Sequence, residues 1–326
     1  STVVLDTGIT ITGAVGLFAN LDVSSNPTLT GTLNWFNGDI SGGTLTIAPD
    51  GTLNHVSTAG NDFVSGAIID NQGTVNLNAD SNTFFISSGG IFNNQATGVL
   101  NFQNDNDILI SSGGGTFNNF GLVRKTGGLN DSVFTVPFNN QDGGIVDGGT
   151  GSIGINGGGT QAGDFVGLGD VRFNSNVTLG SGLTISGAVS LFADLDVSNN
   201  PTLSGTLNWF NGNITGGTLT IAADGTLNHV STAGNDFISG ATIENQGTFN
   251  VNGTSNTLFI SSGGIFNNQV SGVVNFLNDN DITVSSGGGT FNNFGTVRKT
   301  GGSGASVFTV PFNNQDGIVD AASGNI

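Results

Sequence analysis

At Thr74-Val75-Asn76-Leu77 and Val99-Leu100-Asn101-Phe102, apolar and polar residues alternate with period two. Leu122-Val123-Arg124, Ile108-Leu109-Ile110-Ser111 and Ser132-Val133-Phe134-Thr135-Val136 are further short segments rich in β-formers. Over three to five residues the alternation predicts short strands, each burying one side. Trp35 and Trp209 alternate with Leu33 and Leu207, which places both indoles in the inward phase. The joints are Gly-Gly, Ser-Ser-Gly-Gly or Asn-Asp-Asn-Asp, too short for a helix.

The strands come in groups. Ile69-Asp70-Asn71-Gln72-Gly73, Phe92-Asn93-Asn94-Gln95, Phe117-Asn118-Asn119-Phe120-Gly121 and Phe138-Asn139-Asn140-Gln141 share the form apolar-x-Asn-x, at intervals of about 21 to 25 residues. That interval is one solenoid coil with about three strands. A strand this short buries its apolar side only if it lies in register on its counterpart one coil earlier, about 4.8 Å away. The fold class predicted is all-β, a parallel β-helix of about 20–25 residues per coil. Roughly fifteen coils would make a rod near 70 Å long. Asn71, Asn94, Asn119 and Asn140 are then candidates for an amide ladder, with Asn245, Asn268, Asn293 and Asn314 as their second set.

The second set exists because the chain repeats. Trp35-Phe36-Asn37-Gly38 returns as Trp209-Phe210-Asn211-Gly212, His55 as His229, and Arg124-Lys125 as Arg298-Lys299, each 174 positions on. From Gly8 to Gly143 the copies align without a gap at about 80% identity. We read residues 1–326 as one continuous β-solenoid, with copy one at about 5–178 and an incomplete copy two at about 179–326. No charged or helical cap is evident at Ser1 or Ile326, so the expectation is a window of a longer array, or end-to-end stacking of chains.

Composition narrows the function. The 326 residues include 56 Gly and 24 Phe but no Cys, Met or Tyr, and the net charge is −18. With only 5 Lys and Arg, a nucleic-acid partner is not expected, because phosphate neutralisation needs cations. No apolar run is long enough for a transmembrane helix. The Phe content and 36% hydrophobic residues exclude a disordered chain, and no Gly-X-Y period suggests collagen.

The segment from Trp35 to Asn54, read as W-x-x-G-x-I-x-G-G-T-L-T-I-x-x-x-G-T-L-N, resembles a pattern of bacterial surface proteins. The Asn-Asn-x-Gly coils resemble those of filamentous-haemagglutinin-like adhesins and autotransporter passengers, and the long repeat resembles giant tandem-repeat cell-surface proteins. The resemblance implies a right-handed helix, export to the bacterial surface, and service as a fibre, stalk or adhesin. It makes the chain itself the first partner expected, and a glycan or cell surface the alternative.

No catalytic residue is assigned. Parallel β-helices include polysaccharide-cleaving enzymes, which need carboxylates clustered on one face. The best cluster is Arg124-Lys125 with Asp131, but Ala305 replaces Asp131 in the second copy. Arg124, Lys125, Arg298 and Lys299 are expected instead to pair with Asp on neighbouring coils, or alternatively to dock an acidic surface. His55 and His229 lack the companions a zinc site requires and are expected at a turn or surface. No cofactor is expected, with calcium as the exception to weigh: Asn104-Asp105-Asn106-Asp107 and Asn278-Asp279-Asn280-Asp281 crowd oxygen donors into one turn, with Asp105, Asp107, Asp279 and Asp281 as the candidate ligands. Neither the EF-hand nor the calcium-roll pattern accompanies them, and Asn and Asp are ordinary turn residues. Thr-x-Thr at Thr10-Ile11-Thr12, Thr28-Leu29-Thr30 and Thr44-Leu45-Thr46 could match ice, but the series is too short and uneven for an ice-binding face.

Overall fold

The computed structural model describes residues 2–6, 11, 13–57, 60–79, 84–231, 234–254 and 258–326. Ser1, Gly8, Thr10 and Thr12, named above, lie outside them. Every described element is a β-strand, and every pairing that involves them is parallel. The fold is a β-solenoid of about 14 turns with three strands per coil. Contacts divide it into two compact units, 1–171 and 172–326.

In the first unit one coil consists of Ile68–Asn71, Thr74–Leu77 and Phe84–Ser87. Each strand lies on its counterpart from the previous coil, Thr44–Ile47, Thr52–His55 and Asp62–Ser65. The register matches residue to residue: Thr74 on Thr52, Val75 on Leu53, Asn76 on Asn54 and Leu77 on His55. Because side chains alternate, that register stacks inward residues only on inward ones. Leu33, Leu53, Val75, Leu100, Val123 and Val146 form one such buried column.

The second unit repeats the scheme with Thr218–Ile221, Thr226–His229 and Asp236–Ser239 as one coil. Its core includes Phe266 stacked on Phe291 at 4.8 Å and 3°, as Phe92 stacks on Phe117 at 4.6 Å and 9° in the first. Ring separations near the strand spacing follow from register alone. Some strands, such as Thr28–Leu29 and Ile40–Ser41, have two residues. Asn26 with φ +54° and then Pro27 turn the chain immediately before the first of them.

Candidate functional site

The alternation that builds the strands delivers the chemistry-bearing residues to two places, the interior corners and the contacts between coils. The eight ladder asparagines end strands on the inward phase. Asn71, Asn94, Asn119 and Asn140 are fully buried, as are Asn245, Asn268 and Asn293. Asn71 Nδ2 donates to Asn94 Oδ1 at 2.7 Å, Asn94 to Asn119 at 2.8 Å, and Asn119 to Asn140 at 2.8 Å. The second hydrogens of Asn71, Asn94 and Asn119 go to the carbonyls of Val99, Leu122 and Ile145. The second unit repeats the run from Asn245 through Asn268 and Asn293 to Asn314. In a dry corner such satisfied amides stiffen the stack, whereas an unpaired one costs about 1–3 kcal/mol.

A second ladder runs outside. Asn54 donates to Asn34, Asn76 to Asn54 and Asn101 to Asn76, at 2.7–2.8 Å. The amide dipoles align, and the carbonyl end at Asn101 accepts Arg124 Nε at 2.6 Å. A cation at the negative end of aligned dipoles is the arrangement a helix C-terminus favours. Arg124 also lies in register with Asp147 of the following coil. Arg298 repeats both features with Asn275 and Asp320.

Lys125 shares the inward phase of Val123, and its side chain is 0% exposed. Its ammonium donates to Asp105 Oδ1 at 2.9 Å, Asn104 O at 3.0 Å and Ser132 Oγ at 2.8 Å. All three donors are used. Lys299 does the same with Asp279 Oδ1 (2.8 Å), Asn278 O and Ser306 Oγ (3.0 Å). The Asn-Asp-Asn-Asp turn therefore already surrounds a cation, and that cation is a lysine from the next coil. Gly128, with φ +76°, permits the close pass, since a Cβ there would sit 2.0 Å from Asp105 Oδ1. The hydrogen bond from Lys125, with help from Asn130, holds the Asp105 carboxyl below its ordinary value. Lys299 and the Gly304 N–H do so for Asp279. Asp107 is raised by burial, against the opposing pull of the Val133 N–H and Lys125. Its Oδ1 accepts the Val133 N–H at 2.8 Å, and Asp281 accepts that of Val307 at 2.7 Å.

Among the described residues no three His, Asp or Glu side chains converge as a metal site would require. In the second unit a polar cleft of about 270 Å³ lies beside this turn, lined by Gly253, Thr254, Asn278, Asp279 and Asn280. The carboxylate that Lys125 bonds is that of Asp105, one coil back. Asp131 pairs in register with Ser152, whose hydroxyl donates to its carboxylate. Its replacement by Ala305 accordingly leaves the lysine arrangement intact.

The histidines require a correction. Expected at a turn or surface, His55 and His229 are fully buried. Both end strands of the form Thr-Leu-Asn-His, in register with Trp35 and Trp209 and hence inward. His55 Nε2 lies 3.0 Å from Asp62 Oδ2, and both side chains are inaccessible. The ring meets Trp35 edge-on at 5.1 Å and Phe84 at 5.5 Å. Trp35 Nε1 donates to Gly38 O at 2.8 Å, and Gly38 N donates to Asp62 Oδ1 at 2.9 Å. In the second unit His229 pairs with Asp236 at 3.0 Å, and Trp209 donates to Gly212 O at 2.9 Å. There Gly212 N turns instead to Asn211 Oδ1, at 2.9 Å, and Asp236 Oδ1 has no partner. A general base must reach its substrate, and these pairs are sealed from solvent.

Asp39, near Asp62, has its carboxyl raised, first by burial and further by that neighbouring charge, against a lowering hydrogen bond from the Phe63 backbone.

The sequence reading missed four outward aromatic pairs. Phe18 stacks on Phe36 at 4.5 Å and 1°, and Phe63 on Phe85 at 4.9 Å and 19°. Phe192 with Phe210 and Phe237 with Phe259 repeat them. Phe63 and Phe85 are paired by the coil-to-coil register, which the local pattern does not give. Within each pair the rings cover one of each other's faces, which are the surfaces a sugar would stack on.

No family model matches the chain. No curated protein matches it either. A search of solved structures found a TibC-catalysed, hyper-glycosylated fragment of TibA, 17% identical, covering 98% of this chain and 97% of that one with a TM-score of 0.35. At that score the likeness adds no argument to the fold derived above.

Proposed function

We propose that the chain is a structural repeat module of an extracellular bacterial surface fibre, extending or assembling by β-helix stacking without catalysis. One observation carries this reading. The four repeated cations and all eight ladder asparagines bond residues of a neighbouring coil. These polar side chains are thus engaged along the stack, in both copies. Such a module needs length and cohesion, and parallel ladders supply both without disulfides.

The partner proposed is a further solenoid of the same kind, joined end to end through strand edges. The test is electron microscopy of the concentrated, frozen chain. Thin fibres with a layer line near 4.8 Å along their axis support the proposal. Discrete rods that stay monomeric at every concentration, together with retention on a glycan array, would replace it with an adhesin stalk.

A further inference from the structure

The two copies hold the same Asn-Gly pair in different hydrogen bonds, and we infer that Asn211 is a site of spontaneous modification while its counterpart Asn37 is protected. Asn37-Gly38 and Asn211-Gly212 share the flanking sequence Trp-Phe-Asn-Gly, and both asparagines are exposed. At Asn37 the Gly38 N–H is held by the Asp62 carboxylate, 2.9 Å away. At Asn211 that bond is missing. Gly212 N lies 2.9 Å from Asn211 Oδ1, so the side chain folds back over the peptide that follows it. The amide carbon, one bond from Oδ1, is thereby brought toward the nitrogen that can attack it.

The chemistry needs only water and its hydroxide. Hydroxide removes the Gly212 N–H proton, and the nitrogen attacks Asn211 Cγ. The new C–N bond closes a succinimide as the Cγ–Nδ2 bond breaks, and ammonia leaves with a proton from water. Water then opens the ring at either carbonyl, giving aspartate or isoaspartate at position 211. The net change is one water in and one ammonia out. At Asn37 the carboxylate opposes the first step twice. It stabilises the N–H as a charge-assisted donor, and its charge disfavours an anion on that nitrogen.

Glycine cannot be replaced at this corner. Gly212 has φ +98°, and a Cβ there would lie 2.2 Å from Ala193 O. The product strikes the fold at a sensitive point, because Gly212 O accepts the Trp209 indole. Isoaspartate adds a methylene to the backbone within that loop and displaces the acceptor.

The test is ageing of the intact chain at mildly alkaline pH, followed by peptide mapping with mass spectrometry that resolves isoaspartate and separates Asn211 from Asn252-Gly253. In the folded chain Asn211 is expected to convert roughly tenfold or more faster than Asn37, the size of one charge-assisted hydrogen bond. In concentrated urea, where both corners are released, the rates should become equal. Equal rates in the folded chain, or a faster Asn37, would overturn the inference.

Discussion

The two copies place a phenyl ring at different points of the same coil, which makes a double substitution informative. In the first unit Phe84 packs edge-on to Trp35 at 5.5 Å and meets Phe92 at 6.3 Å, while Val75 is buried on the preceding strand of the same coil. In the second unit Leu258 replaces Phe84 and Phe249 replaces Val75, and Phe249 now meets Phe266 at 5.0 Å. All four side chains are fully buried. Phe84→Leu alone loses ring contacts and leaves a void, at about 1–3 kcal/mol. Val75→Phe alone forces a ring into a filled site, at about 1–3 kcal/mol. The double variant restores the total volume and should cost less than about 1.5 kcal/mol. The coupling is then about 1–2 kcal/mol or more in favour of the pair. Urea unfolding followed by circular dichroism would measure it. Native-state hydrogen exchange at residues 84–94 would check it locally, since stacked coils need not unfold in one step. A double variant as unstable as the sum of its parts would refute the idea of a shared core volume.

Other expectations concern the polar interior. Lys125→Met should leave the Asp105 turn without its cation and cost about 3 kcal/mol or less, read as lost exchange protection at residues 131–134. Asn94→Asp removes both Nδ2 donors and buries a charge, and should cost more than about 3 kcal/mol by the same assay. Acid should loosen the lysine contacts: the depressed Asp105 and Asp279 add stability above the ordinary value of 3.8 and lose it as pH falls through their lowered folded values. Asp107, raised by burial, works oppositely and loses its contribution as pH rises through its folded value, so Asp107→Asn should steepen the acid loss. Calcium titrated calorimetrically should find no tight site at Asp105 or Asp279, because the lysines hold those carboxylates; stoichiometric binding there would contradict the lysine-as-cation reading.

What could be read from the chain was what depends on phase. Thr-Val-Asn-Leu announces an inward Val75 and Leu77 without any knowledge of partners. Trp35 was placed inward in that way, and His55 could have been, since Trp35 and His55 hold equivalent positions in their strands. Its polarity argues for the surface and its phase for the interior. The buried carboxylate that makes an interior imidazole tolerable, Asp62, lies seven residues on and across a corner. The Lys125–Asp105 pair was legible only as a kind of pairing. Its membership depends on coil-to-coil register, which the corner lengths set and the local pattern does not reveal. The outward Phe63–Phe85 stack was hidden for the same reason.

If bonds between coils carry the load in the proposed fibre, the chain pulled by its two ends in optical tweezers should resist. The expected trace is resistance followed by a series of steps, each releasing about one coil of 21 to 25 residues, or roughly 70–90 Å of extended chain. Extension without measurable resistance would contradict the proposed role.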